Sequence, residues 1–144
     1  MFQTWSSTLA AIAAICICGF AMYRGGVPTR IAGGVFLSAW LITPLIRIAD
    51  PSQVEWFVFA VDVVVLGVFL ALTLKFRRFW LVGASAFQLL AASTHLAMLI
   101  DLRVTLNSYV MALGLWSLAV LGSILVGAFS RQGAHEVGAS ERTV

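Results

Sequence analysis

The chain has 144 residues, of which 61% are hydrophobic and 10% charged, against roughly 25% charged residues in an average soluble domain. Its mean hydropathy of +1.00 leaves too few polar residues to cover a water-facing surface, which excludes a soluble globular domain. The formal net charge of +3 does not point to nucleic acid, because the basic residues sit in short clusters between apolar runs, as membrane topology signals do.

Five apolar segments follow one another, each near the roughly 20 residues that a helix needs to cross a bilayer. The first is expected at about 5–23. Residues 1–23 carry no charge, and Arg24 and Arg30 follow the run. That order fits a span with its N-terminus outside rather than a cleaved leader. Cys16 and Cys18 are two apart on a helix, on nearly opposite faces, and act as small apolar fillers. Ser7, Ala11, Ala14, Cys18 and Ala21 form a stripe suited to close helix approach. Residues 24–30 read as a turn, with Gly25, Gly26 and Pro28 as breakers.

The second segment is expected at about 31–49, with Gly34 and Ser38 as small contact residues, Pro44 as a kink, and Thr43 and Trp40 at depth. Arg47 near its end either snorkels to the interface or turns inward toward Asp62. Asp50 and Pro51 stop this helix. The third segment, about 56–74, contains Asp62, and residues 75–78 are a tight basic link. The fourth, about 79–100, carries Ser85, Gln88, Ala92 and His95 at helical spacing on one face, with Thr94 beside them. The fifth is expected at about 109–129, with Trp116 at depth and Ala119, Ser123 and Gly127 as small contact residues. Residues 130–144 have few large apolar side chains and are expected to be a disordered cytoplasmic tail.

Alternating passes put Arg24, Arg30, Lys75, Arg77, Arg78, Arg131 and Arg142 on one side. Only Arg47 and Arg103 fall on the other, together with Asp50, Glu55 and Asp101. The excess of positive charge assigns the first side to the cytoplasm. Trp5 and Trp56 near the outer ends and Trp80 near the inner end suit interfacial belts. The expected architecture is all-α: a single polytopic bundle of five spans over residues 1–129, N-terminus outside and C-terminus cytoplasmic.

Asp62 is the first candidate for function. It lies roughly 10 Å below the outer end of its span at 1.5 Å per residue, a depth at which a carboxyl group is costly and marks either a functional site or a structural hydrogen bond between helices. His95 reaches a similar depth on the next, antiparallel span. The pair is expected within reach, directly or through a water, because neither tolerates hydrocarbon unpaired. Gln88, Thr94 and Thr43 complete a candidate intramembrane polar site in the outer half of the bundle, with Arg47 as an interfacial or pairing candidate. No catalytic residue, metal site or cofactor is expected: there is no HExxH, CxxC, P-loop or GxGxxG, and a single intramembrane histidine excludes bis-histidine haem within one chain.

The stretch Phe79-Trp80, Phe87-Gln88 and Thr94-His95-Leu96-Ala97 resembles small uncharacterised multi-pass inner-membrane proteins of bacteria, over the fourth and fifth spans. The resemblance implies a bacterial inner-membrane location and no assigned activity. The expected partners are the lipid bilayer and either a membrane-protein partner or a second copy of the chain, and not nucleic acid. Small size and the absence of a catalytic constellation favour a non-enzymatic accessory or assembly subunit of a membrane complex, or a homo-oligomer. The alternative is a small ion- or proton-coupled transporter or channel using Asp62 and His95. A weaker one is a membrane-embedded enzyme or quinone-binding protein, with Trp40 and Trp116 as flat surfaces.

Overall fold

The computed structural model describes the backbone of residues 2–49, 54–100 and 105–140, and the side chains of Leu9, residues 11–45, Ile48, residues 55–100 and residues 105–130. These residues form five helices and no strand: α1 Phe2–Arg24, α2 Val27–Ala49, α3 Val54–Phe76, α4 Phe79–Ile100 and α5 Leu106–Ser140. Three stretches, Glu55–Phe76, Phe79–Ile100 and Leu106–Ser130, are long and apolar enough to cross a membrane. In α1 the described apolar part is Ala11–Arg24. Most side chains near the start of α1 and the end of α2 lie outside the described residues, and with them Trp5, Ser7 and Arg47. Residues 50–53 and 101–104 lie outside them altogether.

Local chemistry sets each described link. Pro28 sits in the first turn of α2, where its missing N–H would be unpaired anyway, so it starts the helix rather than lengthening the turn. Helix α2 therefore begins before the position expected from hydropathy. The preceding turn needs Gly25, because a Cβ there would run into the Ala21 carbonyl and Thr29. Arg77 ends α3 in the left-handed region at φ 48°, and its amide donates to the Thr73 carbonyl at 2.9 Å, an αL cap that reverses the chain into α4. Thr105 caps α5: its hydroxyl accepts from the Ser108 amide at 3.4 Å, and its carbonyl accepts from the Tyr109 amide at 3.1 Å. That cap fixes where Tyr109 projects. At the other end α5 continues to Ser140, so the helix runs past Phe129 into the segment expected to be irregular. Adding residues to a formed helix is far easier than starting one.

Each helix packs on its neighbour in sequence, α5 closes back on α1, and α2 also touches α5. The result is a five-helix ring in which consecutive helices are antiparallel and α1 and α5 run the same way. The inner faces bury Ala14, Cys18 and Ala21 of α1, Ala32 and Phe36 of α2, Val65 and Phe69 of α3, Leu81 and Ala84 of α4, and Leu121 and Ile124 of α5. The outer face leaves Ile48, Leu74, Phe79, Ile100 and Met111 exposed, a surface that water penalises and hydrocarbon does not.

Two packing expectations differ from the structure. The close residue of α2 is Gly33, one position before Gly34. A Cβ on Gly33 would lie in contact with α1 at the Cys18 carbonyl, Met22 and Ala21. Gly34 opens on empty space, and the Ser38 hydroxyl only folds back onto the Gly34 carbonyl at 2.8 Å. Trp80 is not an interfacial belt residue: it is 7% exposed, with its indole set where a side chain at Gly127 would go. The small residues of α5 explain this, because Gly127 leaves a notch that a large flat ring fills. A Cβ on Gly127 would sit 2.5 Å from two indole atoms. Gly127→Ala is therefore expected to destabilise the bundle by about 1–3 kcal/mol, whereas Gly34→Ala is expected to be neutral or stabilising by up to roughly 1 kcal/mol. Thermal unfolding of the two variants in the same detergent checks the contrast, and equal melting temperatures contradict the notch.

Candidate functional site

Helical periodicity turns a set of polar residues to the inside of the ring. On α3, Glu55, Val58, Asp62 and Val65 recur at spacings of three and four and share one face. Gln88, Ala91 and His95 do the same on α4, and Tyr109, Leu113 and Ser117 on α5. All of them line one cavity of 560 Å3, to which α1 and α2 add Ala11, Ala14, Phe36, Trp40 and Thr43. The lining residues run from the end of the ring opposite the basic links of Arg24, Arg30, Lys75, Arg77 and Arg78 to about the middle of the helices. Toward those links the interior is packed by Phe69, Leu81, Leu121 and Ile124, each at most 1% exposed.

Within the cavity four side chains form an unbroken line of contacts. The Tyr109 hydroxyl donates to Glu55 Oε2 at 3.0 Å and meets His95 Nδ1 at 2.6 Å. His95 Nε2 meets Asp62 Oδ2 at 2.9 Å. Gln88 Nε2 donates to Asp62 Oδ1 at 2.9 Å and to the Asp62 carbonyl at 3.4 Å. Both of those partners are acceptors, so the amide nitrogen must face them. Gln88, His95 and Tyr109 are buried, and Glu55 is exposed at the mouth. The line thus runs from a surface carboxyl group to an interior one. The His95 and Tyr109 rings stand edge to face at 82°, which holds the imidazole in the plane of its two hydrogen bonds.

The structure brings Asp62, Gln88 and His95 together, as matched depth on antiparallel neighbours makes possible. Thr43 lines the same cavity with its hydroxyl donating to the Ala39 carbonyl at 2.9 Å. Thr94 is a correction. It does not line the cavity, and it accepts a hydrogen bond from Trp116 Nε1 at 3.2 Å. It sits next to His95 in sequence and so points about 100° away from it around the helix. Trp40 lines the cavity, whereas Trp116 serves that helix contact. The Arg47 side chain lies outside the described residues. Hydropathy reasoning missed Glu55 and Tyr109. Glu55 was counted as an interfacial charge and Tyr109 as the start of a span. The seven-residue interval between Glu55 and Asp62, about two helical turns, is the signal that places both carboxyl groups on one face.

Three contacts, Glu55–Tyr109, Tyr109–His95 and His95–Asp62, thus join four side chains whose nitrogen and oxygen atoms can each hold or pass on a proton.

No family model, curated protein or solved structure matches the chain. Among the described residues, no group of three His, Cys, Asp or Glu side chains is placed to hold a metal ion. What the site offers is a hydrogen-bonded cluster of titratable side chains beside an apolar cavity of the size that small-molecule sites have.

Because His95 bridges Asp62 and Tyr109, Asp62→Ala and His95→Ala each take a hydrogen-bond partner from a buried side chain, and each is expected to lose about 1–3 kcal/mol. The double variant is expected to fall short of their sum by about 0.5–3 kcal/mol. Thermal unfolding of the four proteins in detergent measures this, and strictly additive losses contradict the contact.

Proposed function

We propose that the protein is a five-span component of the bacterial inner membrane, N-terminus outside and C-terminus cytoplasmic, acting as a small proton-coupled transporter. The unbroken line from exposed Glu55 through Tyr109 and His95 to Asp62 is the observation that carries this reading. A purely structural bond between α3 and α4 needs only Asp62 and Gln88. It gives no reason for a titratable path that reaches the surface and shares a cavity. An accessory or assembly role accounts for the small size and leaves that path without a task.

Other features support the reading. Helices of 23 residues, about 35 Å long, match the roughly 30 Å hydrocarbon core, so α1 and α2 have the length to cross beside the three apolar stretches. The basic links gather at one end of the ring, which favours that end for the cytoplasm. The cavity then opens on the outer half and is closed toward the cytoplasm by the packed interior, as expected of an outward-facing carrier.

The test is flux in vesicles. Protein reconstituted with a trapped pH dye is exposed to a panel of apolar-bodied amines, carboxylic acids and uncharged quinones. At least one solute is expected to move the internal pH, with Asp62→Asn and Glu55→Gln lowering the rate about tenfold or more, the magnitude typical of losing a proton-transfer group. If no solute and no imposed voltage moves protons faster through the wild type than through Asp62→Asn, the transporter reading fails. Alkaline phosphatase fused at the C-terminus is expected to be inactive in cells, and active enzyme there contradicts the orientation.

A further inference from the structure

We propose that the cavity binds an uncharged molecule with an apolar body and a polar end that both donates and accepts hydrogen bonds. This deepens the transporter reading, on which it rests, by naming the chemical class of the solute. The observation that leads to it is a buried acceptor without a partner. Gln88 is 2% exposed, and its amide nitrogen is turned to Asp62 on α3. Its Oε1 therefore points away from Asp62, and among the described residues no donor reaches it. Every fully enclosed side-chain nitrogen and oxygen among these residues has a partner. The unpaired Gln88 oxygen is thus in contact with open space, and the space that Gln88 lines is the cavity.

Two further side chains of the wall carry unpaired polar atoms. Trp40 Nε1 is a donor, and Ser117 Oγ can donate or accept. Neither makes a hydrogen bond among the described residues. The contrast with their counterparts is plain: Trp116 Nε1 donates to Thr94, and the Ser123 and Ser130 hydroxyls fold back onto the carbonyls of Ala119 and Val126. The three unpaired groups share a level. Each lies close to the middle of its stretch, Trp40 in Val27–Ala49, Gln88 in Phe79–Ile100 and Ser117 in Leu106–Ser130. They therefore stand at the deep end of the cavity. Between them and its mouth the wall is carbon, supplied by Ala11, Leu41, Pro44, Val58, Val110 and Leu113.

That arrangement selects a ligand. A polar atom in apolar surroundings costs free energy until it is hydrogen-bonded. Water alone is a poor answer, because a confined water needs two to four polar partners, and a wall of carbon around 560 Å3 offers most of them none. A molecule with an N–H or O–H for Gln88 Oε1 and a carbonyl or hydroxyl oxygen for Trp40 Nε1 satisfies both, with Ser117 serving either atom. Its body lies against the apolar wall. The unpaired atoms are an amide oxygen, an indole nitrogen and a hydroxyl, all uncharged, and the Asp62 oxygens and His95 nitrogens are already engaged. A neutral polar end is therefore the one that fits.

The test is binding, separate from flux. Naphthamide, with N–H donors and a carbonyl acceptor on an apolar ring system, is titrated calorimetrically into the full chain in micelles, with empty micelles as the blank. Naphthalene is the counterpart without polar atoms, and naphthoate and naphthylmethylammonium are the charged ones. The amide is expected to bind saturably and about threefold or more tightly than each counterpart. Trp40→Phe and Ser117→Ala take no hydrogen bond from the protein itself. Each is expected to unfold at the temperature of the unaltered chain and to weaken amide binding about two- to tenfold, with naphthalene binding unchanged. Gln88→Met is expected to weaken it at least as much, and if that variant fails to fold, the ligand series and the other two variants decide. Equal or tighter binding of naphthalene or of a charged counterpart overturns the proposal, as does the absence of saturable binding, or amide affinity indifferent to both Trp40→Phe and Ser117→Ala. Proton flux driven by a charged solute without amide binding would overturn the assigned class and leave the transporter reading standing. Amide binding without flux of any solute would overturn the transporter reading and leave the binding site standing.

Discussion

His95 touches two helices at once, and the half of the ring away from the basic links is organised around that contact. One ring nitrogen meets Asp62 on α3 and the other meets Tyr109 on α5. In hydrocarbon each of these groups alone would cost several kcal/mol, so the helices have a strong reason to present them to one another. Once α4 is held between α3 and α5 in this way, the rotation of all three helices is set. Gln88 then reaches Asp62, and Val65, Ala91, Leu113 and Ser117 turn toward a common space. The other end of the ring is held differently, by the indole of Trp80 in the Gly127 notch and by Phe69, Leu81, Leu121 and Ile124. One half is dry and close-packed, and the other is polar-lined and hollow.

That division gives the fold its functional sense. A relay embedded in the packed half would have nothing to exchange with, and a hollow half lined only by carbon would bind without coupling. Here the exposed carboxyl group of Glu55, the bridging hydroxyl of Tyr109 and the buried pair of Asp62 and His95 share walls with the cavity. The cavity wall therefore combines these polar groups with apolar side chains. Gln88 matters because its amide occupies Asp62 Oδ1 and leaves Oδ2 to His95.

Height along the helices was legible in the sequence, because the 1.5 Å rise converts residue number to height, and Asp62 does meet His95 and Gln88 across α3 and α4. Azimuth was less legible. It places Thr94 on Trp116 rather than in the cavity, and it makes Gly33 rather than Gly34 the close residue of α2. A one-residue step turns a helix by about 100°, and apolar runs such as α3 and α5, hydrophobic all round, give no strong face to fix rotation. Trp80 was misjudged because an aromatic near a span end fits both a lipid interface and an interhelical notch, and only the glycine opposite decides. Glu55 and Tyr109 escaped notice because each sits in the first turn of its helix. There, capping and the end of the apolar run look alike from composition.

The central claim is that His95 is bonded at both nitrogens, to Asp62 and to Tyr109. With His135 replaced by Gln, His95 is the one imidazole left in the chain, and its two 15N resonances report the two bonds separately. Tyr109→Phe is expected to shift the Nδ1 resonance with little effect on Nε2, and Asp62→Asn to shift Nε2 with little effect on Nδ1. Resonances that stay at the values of a free imidazole and ignore both substitutions would contradict the relay.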